Sequence, residues 1–365
     1  DPGERATPEA FAKDPELVTR LYDERRQGVL ACEPNPGHHA LARLEEAVGA
    51  RHGRGGRGGA GPRFERRSLR LGAGRRLGYH PRMQQGTPNG DGTGRPGSVR
   101  FVTFGCKANQ YDTQVLREAL LRRGMEETGP GADLVVVNTC TVTAEAGRKA
   151  RQLVRRIGRE TPDARIAVTG CLAESEPEVL RELPNVDWVL GNGEAKRPVH
   201  FLRQIGHEVT PEELGIPAGI TAFAGHTRAF LKIQDGCDKR CAFCIIPHVR
   251  GQSTSRPADE LVAEVRRRVA AGHVEIVLCG IHIGHWGLDL GSTFSALLRR
   301  LSEVEARGPD GGIADWRLRV SSIEATEVDD DATALMRDRP DRIAPHLHMP
   351  MQSGADRVLR AMNRW

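Results

Sequence analysis

Three cysteines, Cys237, Cys241 and Cys244, stand in the run DGCDKRCAFCIIP with the spacing C-x3-C-x2-C. Three thiolates on one short loop can wrap a corner of an iron–sulfur cube and ligate three of its irons. The fourth iron then has no protein ligand and stays open to a chelating molecule. S-adenosylmethionine (SAM) offers an amino and a carboxylate group for that position. An electron passed into its sulfonium breaks a C–S bond and yields a 5′-deoxyadenosyl radical. Phe243, directly before the third cysteine, is placed to pack against the adenine. The competing reading is a zinc knuckle. Structural zinc takes four protein ligands in paired C-x2-C arrangements, and here only His248 stands nearby as a fourth.

A second set is scattered in sequence. Cys106, Cys140 and Cys171 each close a strand-like run: FVTFGC, VVVNTC and IAVTGC. In a parallel sheet all strand C-terminal ends open on one edge, so these three thiols converge there. Three thiols at one edge again suit a cubane with one open iron; the plain alternative is three independent buried cysteines. Cys279 also ends a strand-like run, but without such partners, and reads as core. Cys32 reads as a simple thiol.

The elements that must position these groups fall into three regions of the 365-residue chain, which is long enough for two or three cores. Residues 1–97 differ from the rest. From Arg51 to Arg100 there are 12 arginines, 14 glycines and two acids, with almost no apolar periodicity. Such a stretch buries too little apolar surface to offset its chain entropy and is expected to be disordered, as an RNA-binding tail or a non-native extension.

From Val99 strands and helices alternate. VRFVTFG, DLVVVNT (Asp133–Thr139) and RIAVTG (Arg165–Gly170) read as strands; Gln110–Arg123 and the basic Ala144–Arg159 read as helices. A parallel sheet with helices on both faces follows, at 98–225 including a polar, Pro-containing linker from about 200. A second series starts at Ala229, with strand-like runs at 229–234, 275–281, 316–323 and 345–351 and helical stretches at 257–271, 293–306 and 329–338. Pro257 suits a helix start, and Asp329–Asp331 suit the positive end of the next helix. The fold expected is α/β: a three-layer parallel-sheet domain, then at 226–365 an incomplete (β/α) barrel truncated at its C-terminus.

Net charge is +5, compatible with a polyanionic partner but modest. No apolar run approaches the roughly 18 residues needed to span a bilayer. The chain shows no secretory signal and starts at Asp1 rather than Met, as expected where a native start is missing. Eight cysteines in such a chain read as metal ligands or catalytic groups before disulfides, with a reducing cytoplasm as the expected setting.

From Val99 to Trp365 the chain resembles the radical-SAM methylthiotransferases through GCKANQYDT (105–113), NTCTVT (138–143), GC (170–171), KIQDGCDKRCAFCIIPHVRG (232–251), SSIE (321–324) and HLHMPMQSGADRVLRAMNR (346–364). Within that family GCKANQYDT is most similar to the branch that modifies N6-threonylcarbamoyladenosine at position 37 of tRNA; the isopentenyladenosine and ribosomal-protein branches are the alternatives. The resemblance implies two [4Fe–4S] clusters, one on Cys237, Cys241 and Cys244 that cleaves SAM, the other on Cys106, Cys140 and Cys171 that carries the methylthio group. It implies SAM contacts at Gly280, Glu324 (ribose hydroxyls), Gln352 and Ser353. It further implies a tRNA partner met by Arg148, Arg151, Arg155 and Arg156, a reductant of flavodoxin or ferredoxin type, and Asn109 and Asn138 supporting the second cluster. The family's C-terminal RNA-binding TRAM domain is expected to be absent from this chain. Upstream, DPELVTRLYDERRQGVLACEPNPGHHALARLEEA is similar to a peripheral sirtuin segment that carries none of that family's catalytic residues.

Overall fold

The computed structural model describes residues 96–193, 197–215, 218–223 and 228–364. The readings on residues 1–95, including Cys32 and the arginine–glycine stretch, lie outside the described residues.

The first sheet is built from β1 (Ser98–Thr103), β2 (Glu126–Glu127), β3 (Leu134–Thr139), β4 (Arg165–Gly170) and β5 (Val186–Leu190), all parallel in the order β2-β1-β3-β4-β5. β3 is buried along its whole length. Its alternate residues serve different faces. Leu134 and Val136 meet Leu116 and Leu120 of α1 (Lys107–Arg122), whereas Val135 and Val137 meet Val154 and Ile157 of α2 (Ala144–Glu160). The three-layer expectation is thereby met. α2 starts where Thr143 Oγ1 accepts the Ala146 amide at 3.1 Å, an ordinary N-cap.

Short helices α3 (Cys171–Ser175) and α4 (Pro177–Arg181) join α2 on its face. The stretch read as linker is more ordered than expected. It holds α5 (Pro198–Gln204) and α6 (Pro211–Leu214), and Phe201, Leu202 and Leu214 are buried beside α1.

The second sheet is parallel and three-stranded, in the order β10-β9-β6. β6 (Ala229–Lys232) is followed by the short antiparallel pair β7 (Gln234–Asp235) and β8 (Thr254–Ser255), with α7 (Ile246–Arg250) between them. β9 (Glu275–Cys279) and β10 (Arg317–Val320) complete it, with α8 (Ala258–Ala270), α9 (Phe294–Ser302) and α10 (Asp330–Asp338) packed outside. Pro257 is the N-cap of α8, and Asp329 caps α10, its Oδ1 accepting the Ala332 amide at 2.8 Å. Leu231, Ile276, Leu278 and Leu318 face the helices.

The expected fourth strand at 345–351 is not one. The chain here makes only isolated bridges: Ile343, just before the segment, with Leu318 of β10, and His348 with Ser322, two residues past the end of β10. Pro345 and Pro350 lack the amide hydrogen that a ladder needs, so pairing stops after single contacts. The chain closes with α11 (Asp356–Ala361).

The two sheets share buried polar chemistry. Tyr111 of α1 sits in the core of the second sheet, its hydroxyl donating to Glu264 at 3.1 Å. Glu264, fully buried, is ion-paired with Arg268 and with Arg256 (2.7 Å) and accepts the Ile220 amide at 3.3 Å. Burial pushes its carboxyl up, but Arg268 and Arg256 outweigh that and hold it below the usual range. Its contribution to stability is therefore complete above the ordinary carboxylate range and disappears as pH falls through the depressed value. Glu264→Gln leaves two buried guanidiniums uncompensated and is expected to cost about 3–5 kcal/mol in urea unfolding at neutral pH, and to remove that part of the acid dependence. Unfolding curves that match the parent protein's would contradict this.

Candidate functional site

β1, β3 and β4 are neighbours in the sheet, and Cys106, Cys140 and Cys171 stand directly or one turn after their C-terminal ends. Neighbouring strands lie about 4.8 Å apart, so the three thiols share one edge. Glycines make the close approach possible. Gly105 has φ +94°, and a Cβ there would stand 2.8 Å from Cys140 Cβ and 2.9 Å from its Sγ. Gly170 has φ +95°, and a Cβ there would collide with Asn138 Oδ1 and the Thr139 backbone. Asn109 ties the two loops together. Its Nδ2 donates to the carbonyls of Phe104 and Thr139, both at 2.8 Å, while Asn138 Nδ2 donates to the Asn109 carbonyl at 3.0 Å.

Cys140 and Cys171 are buried and Cys106 is exposed. Burial pushes the Cys140 thiol up, opposed by the Val142 amide; Cys171 and Cys106 add to the rise and Arg250 counters it. Such a thiol is held as a thiolate only with positive charge beside it.

Cys237, Cys241 and Cys244 line a cavity of about 170 Å³ together with Lys239, His282, Glu324 and Arg364. The loop is fixed at both ends: the Cys237 amide donates to the Gly251 carbonyl (3.0 Å) and the Ala242 amide to the Met362 carbonyl (2.9 Å). Burial raises the Cys241 thiol, with Arg364 opposing and the two other cysteines reinforcing. Glu324 is ion-paired with Arg364 through one oxygen, and its other oxygen, Oε2, is buried with no hydrogen-bond partner in the protein. An orphaned acceptor in a cavity calls for a donor from a bound molecule.

Of the other sequence-expected contacts, Phe243, Gly280, Gln352 and Ser353 are not among the residues lining this cavity. Phe243 is 58% exposed. Gly280 packs against Gln234, where a Cβ would come within 2.7 Å of its carbonyl oxygen. Gln352 adopts φ +59° in the irregular segment before α11.

The structure adds residues that local sequence did not single out. His282 Nδ1 lies 3.3 Å from Cys237 Sγ, and its Nε2 donates to Glu327 at 2.5 Å. Burial pulls this imidazole down, but the Cys237 and Glu327 hydrogen bonds prevail and raise it to about 9. His285 stacks on His282 at 3.9 Å between centroids and contacts Glu327 at 3.2 Å. These three residues bring potential ligand atoms within 4.8 Å. The imidazole nitrogens of His282 are already engaged, so the trio reads as a hydrogen-bonded support of Cys237. Two histidines directly after a strand end, in GIHIGH, were the available signal.

Arg250 links the two cysteine sets. Its buried guanidinium donates to Asp235 Oδ1 (2.7 Å), two residues before Cys237, and to Asn109 Oδ1 (2.5 Å), three residues after Cys106. Asp112 meets it at 3.2 Å and also pairs with Lys232, which in turn reaches Asp235 at 2.9 Å. Burial lowers the Arg250 guanidinium, and Asp235 and Asp112 more than restore it, so it stays charged.

Residues 98–191 match the family model described as uncharacterized protein family UPF0004, and residues 231–365 match that of the radical SAM superfamily. The threonylcarbamoyladenosine tRNA methylthiotransferase MtaB of Bacillus subtilis is 41% identical over 285 residues, covering 73% of this chain and 60% of that protein. Its namesake from Thermotoga maritima is 35% identical over 274 residues, 73% of this chain and 61% of that protein. The tRNA-2-methylthio-N(6)-dimethylallyladenosine synthase of Paracoccus denitrificans is 37% identical over 285 residues, 72% of this chain and 60% of that protein.

The chain belongs to the radical-SAM methylthiotransferases. It spans about three-fifths of the length of the curated relatives it matches. The radical-SAM part brings with it SAM and a [4Fe–4S] cluster, and the donor set fits both: three thiols and a residue with an unpartnered carboxylate oxygen line one cavity. Among the described residues no helix is long and apolar enough to cross a membrane. Within this methylthiotransferase chain the cysteines differ in access. Cys279 is fully buried and its thiol is pushed up to about 12 by burial, whereas Cys106 is exposed. In cluster-free, reduced protein iodoacetamide is expected to alkylate Cys106 readily and leave Cys279 unmodified, as read by peptide mass spectrometry. Equal labelling of the two would contradict the site geometry.

Proposed function

We propose that this chain carries the chemistry of a tRNA methylthiotransferase, replacing the C2 hydrogen of N6-threonylcarbamoyladenosine at position 37 of tRNA with a methylthio group. One observation supports this reading above the others. A cavity of about 590 Å³ is lined by Lys107, the neighbour of Cys106, and by Ser322, which also lines the cavity of Cys237, Cys241 and Cys244. A substrate in that space lies between the two cysteine sets.

On this reading Cys237, Cys241 and Cys244 hold the SAM-binding cluster, and Cys106, Cys140 and Cys171 hold a second one. When bound, these groups supply the electron that cleaves SAM and the sulfur that is transferred. The chain's own residues do the placing. Glu324 Oε2 accepts a ribose hydroxyl of SAM, His282 supports Cys237, and Arg250 holds the two loops at a fixed separation.

The basic face of α2 gives tRNA phosphates a surface. Lys149, Arg155, Arg156 and Arg159 line a groove of about 520 Å³. Arg148 and Arg151 are not among its lining residues and are paired with Glu145 and Glu176. A flavodoxin- or ferredoxin-type reductant and a cytoplasmic setting complete this reading. The relative from Paracoccus denitrificans supports a second one, in which the adenosine carries a dimethylallyl group.

Anaerobic reconstitution is expected to load about eight irons per chain, falling to about four when Cys106, Cys140 and Cys171 are all changed to Ala. Iron content unaffected by that triple change would overturn the two-cluster reading. Mass spectrometry of tRNA nucleosides from a deletion strain decides the substrate: loss of the methylthio form of threonylcarbamoyladenosine is expected, and loss of the dimethylallyl form instead favours the second reading.

A further inference from the structure

The larger cavity lies on the face of the second sheet opposite its helices. Phe230 and Val277, which alternate with the helix-facing Leu231 and Leu278, form an apolar floor. The walls are cationic. Lys107, Arg228 and Arg319 line them with two histidines, His346 and His348, and no acid is among the lining residues described. The one carboxylate behind the wall is Glu275, and three arginines share it: Arg228 at 2.8 Å, Arg317 at 2.6 Å and Arg319 at 2.6 Å. One carboxylate cannot balance three guanidiniums, so the wall keeps a net positive charge. Glu275 takes the Nε and Nη2 atoms of Arg319, and a guanidinium has further donors for a second partner.

The relatives' names give two N6-substituents that differ in this respect. A threonylcarbamoyl group ends in a carboxylate; a dimethylallyl group is a hydrocarbon and would desolvate the cationic wall without pairing it. We propose that this cavity recognises the substrate by the carboxylate of its N6-substituent, with Arg319 and Lys107 as the specificity-determining contacts. Arg319 is held rigidly by Glu275 and offers a planar fork; Lys107 supplies a second charge from the α1 side, next to Cys106. The inference rests on the reading of the site as acting on a tRNA adenosine.

The test compares anticodon stem-loop RNAs that differ in the N6-group of one adenosine: threonylcarbamoyl, its methyl ester, dimethylallyl, or none. Their binding to the cluster-loaded enzyme is measured by fluorescence anisotropy. The parent enzyme is expected to bind the acid at least about tenfold more tightly than the ester, as for a charge-assisted hydrogen bond. Arg319→Gln and Lys107→Met should abolish that ratio by weakening binding of the acid more than that of the ester, and Arg319→Lys should restore part of it. Iron content and absorption spectra of the variants, matched to the parent's, confirm that they are folded. Acid and ester bound equally by the parent would overturn the proposal. So would a parallel loss for all four RNAs in Arg319→Gln, which would mark a phosphate contact. A parent enzyme that prefers the dimethylallyl RNA sinks the substrate reading itself. A preference for the acid that both variants retain sinks only the cavity assignment.

Discussion

The buried guanidinium of Arg250 is the constraint on which the arrangement of the two cysteine sets depends. It stands at the end of α7, which begins two residues after Cys244, and it bonds to Asp235 just before Cys237 and to Asn109 just after Cys106. Asp112 and Lys232 close the network, in which two cations face two carboxylates, Asp112 buried and Asp235 about one-third exposed. Removing such charges from water costs about as much as their attraction returns, and a buried ion pair is a poor source of net stability. Its value lies in geometry. Each member is satisfied only when all the others are in place, so the loops carrying Cys237 and Cys106 have one relative position in which no buried charge is left alone.

Charge also explains how buried thiols are tolerated. Cys140 and Cys241 are both pushed towards the neutral form by burial, and each is opposed by one arginine, Arg250 or Arg364. Cys237 has His282 Nδ1 at 3.3 Å from its sulfur, and that histidine is backed by Glu327. The two sets therefore share one feature with different residues: a cation near a thiol that burial disfavours as a thiolate, while Cys106 stays exposed.

Much of this was legible in the sequence because burial is uniform where the signal was strong. The run DLVVVNT is β3 to within a residue, because that strand is covered on both faces and every apolar residue in it packs. The strand-end placement of Cys106, Cys140 and Cys171 followed from the same runs. β2 and β5 escaped notice because edge strands are short and incompletely covered; β2 is two exposed glutamates, and VDWVL, though apolar, is five residues long and mostly only partly buried. α5 and α6 were hidden for a related reason, since helices of seven and four residues are too short to show a period, although Phe201 and Leu202 are fully buried. Arg250, His282 and Arg364 were not readable as site residues at all. Asn109 and Asp112 lie 141 and 138 residues from Arg250, Glu327 lies 45 from His282 and Glu324 lies 40 from Arg364, and only the folded chain brings them together.

The segment 345–351 failed as a strand for a reason that bears on the site. An additional regular strand would have placed alternate side chains on both faces and continued the sheet across the open side of the cavity. Instead the chain makes isolated bridges, Ile343 to Leu318 of β10 and His348 to Ser322 beyond it, and the second brings His348 Nδ1 within 2.8 Å of Ser322 Oγ. Ser322 is the residue common to the cationic cavity and the thiol cavity. His346 and His348 of this irregular segment line the cationic cavity and Pro350 lines the thiol cavity, so the segment borders both spaces.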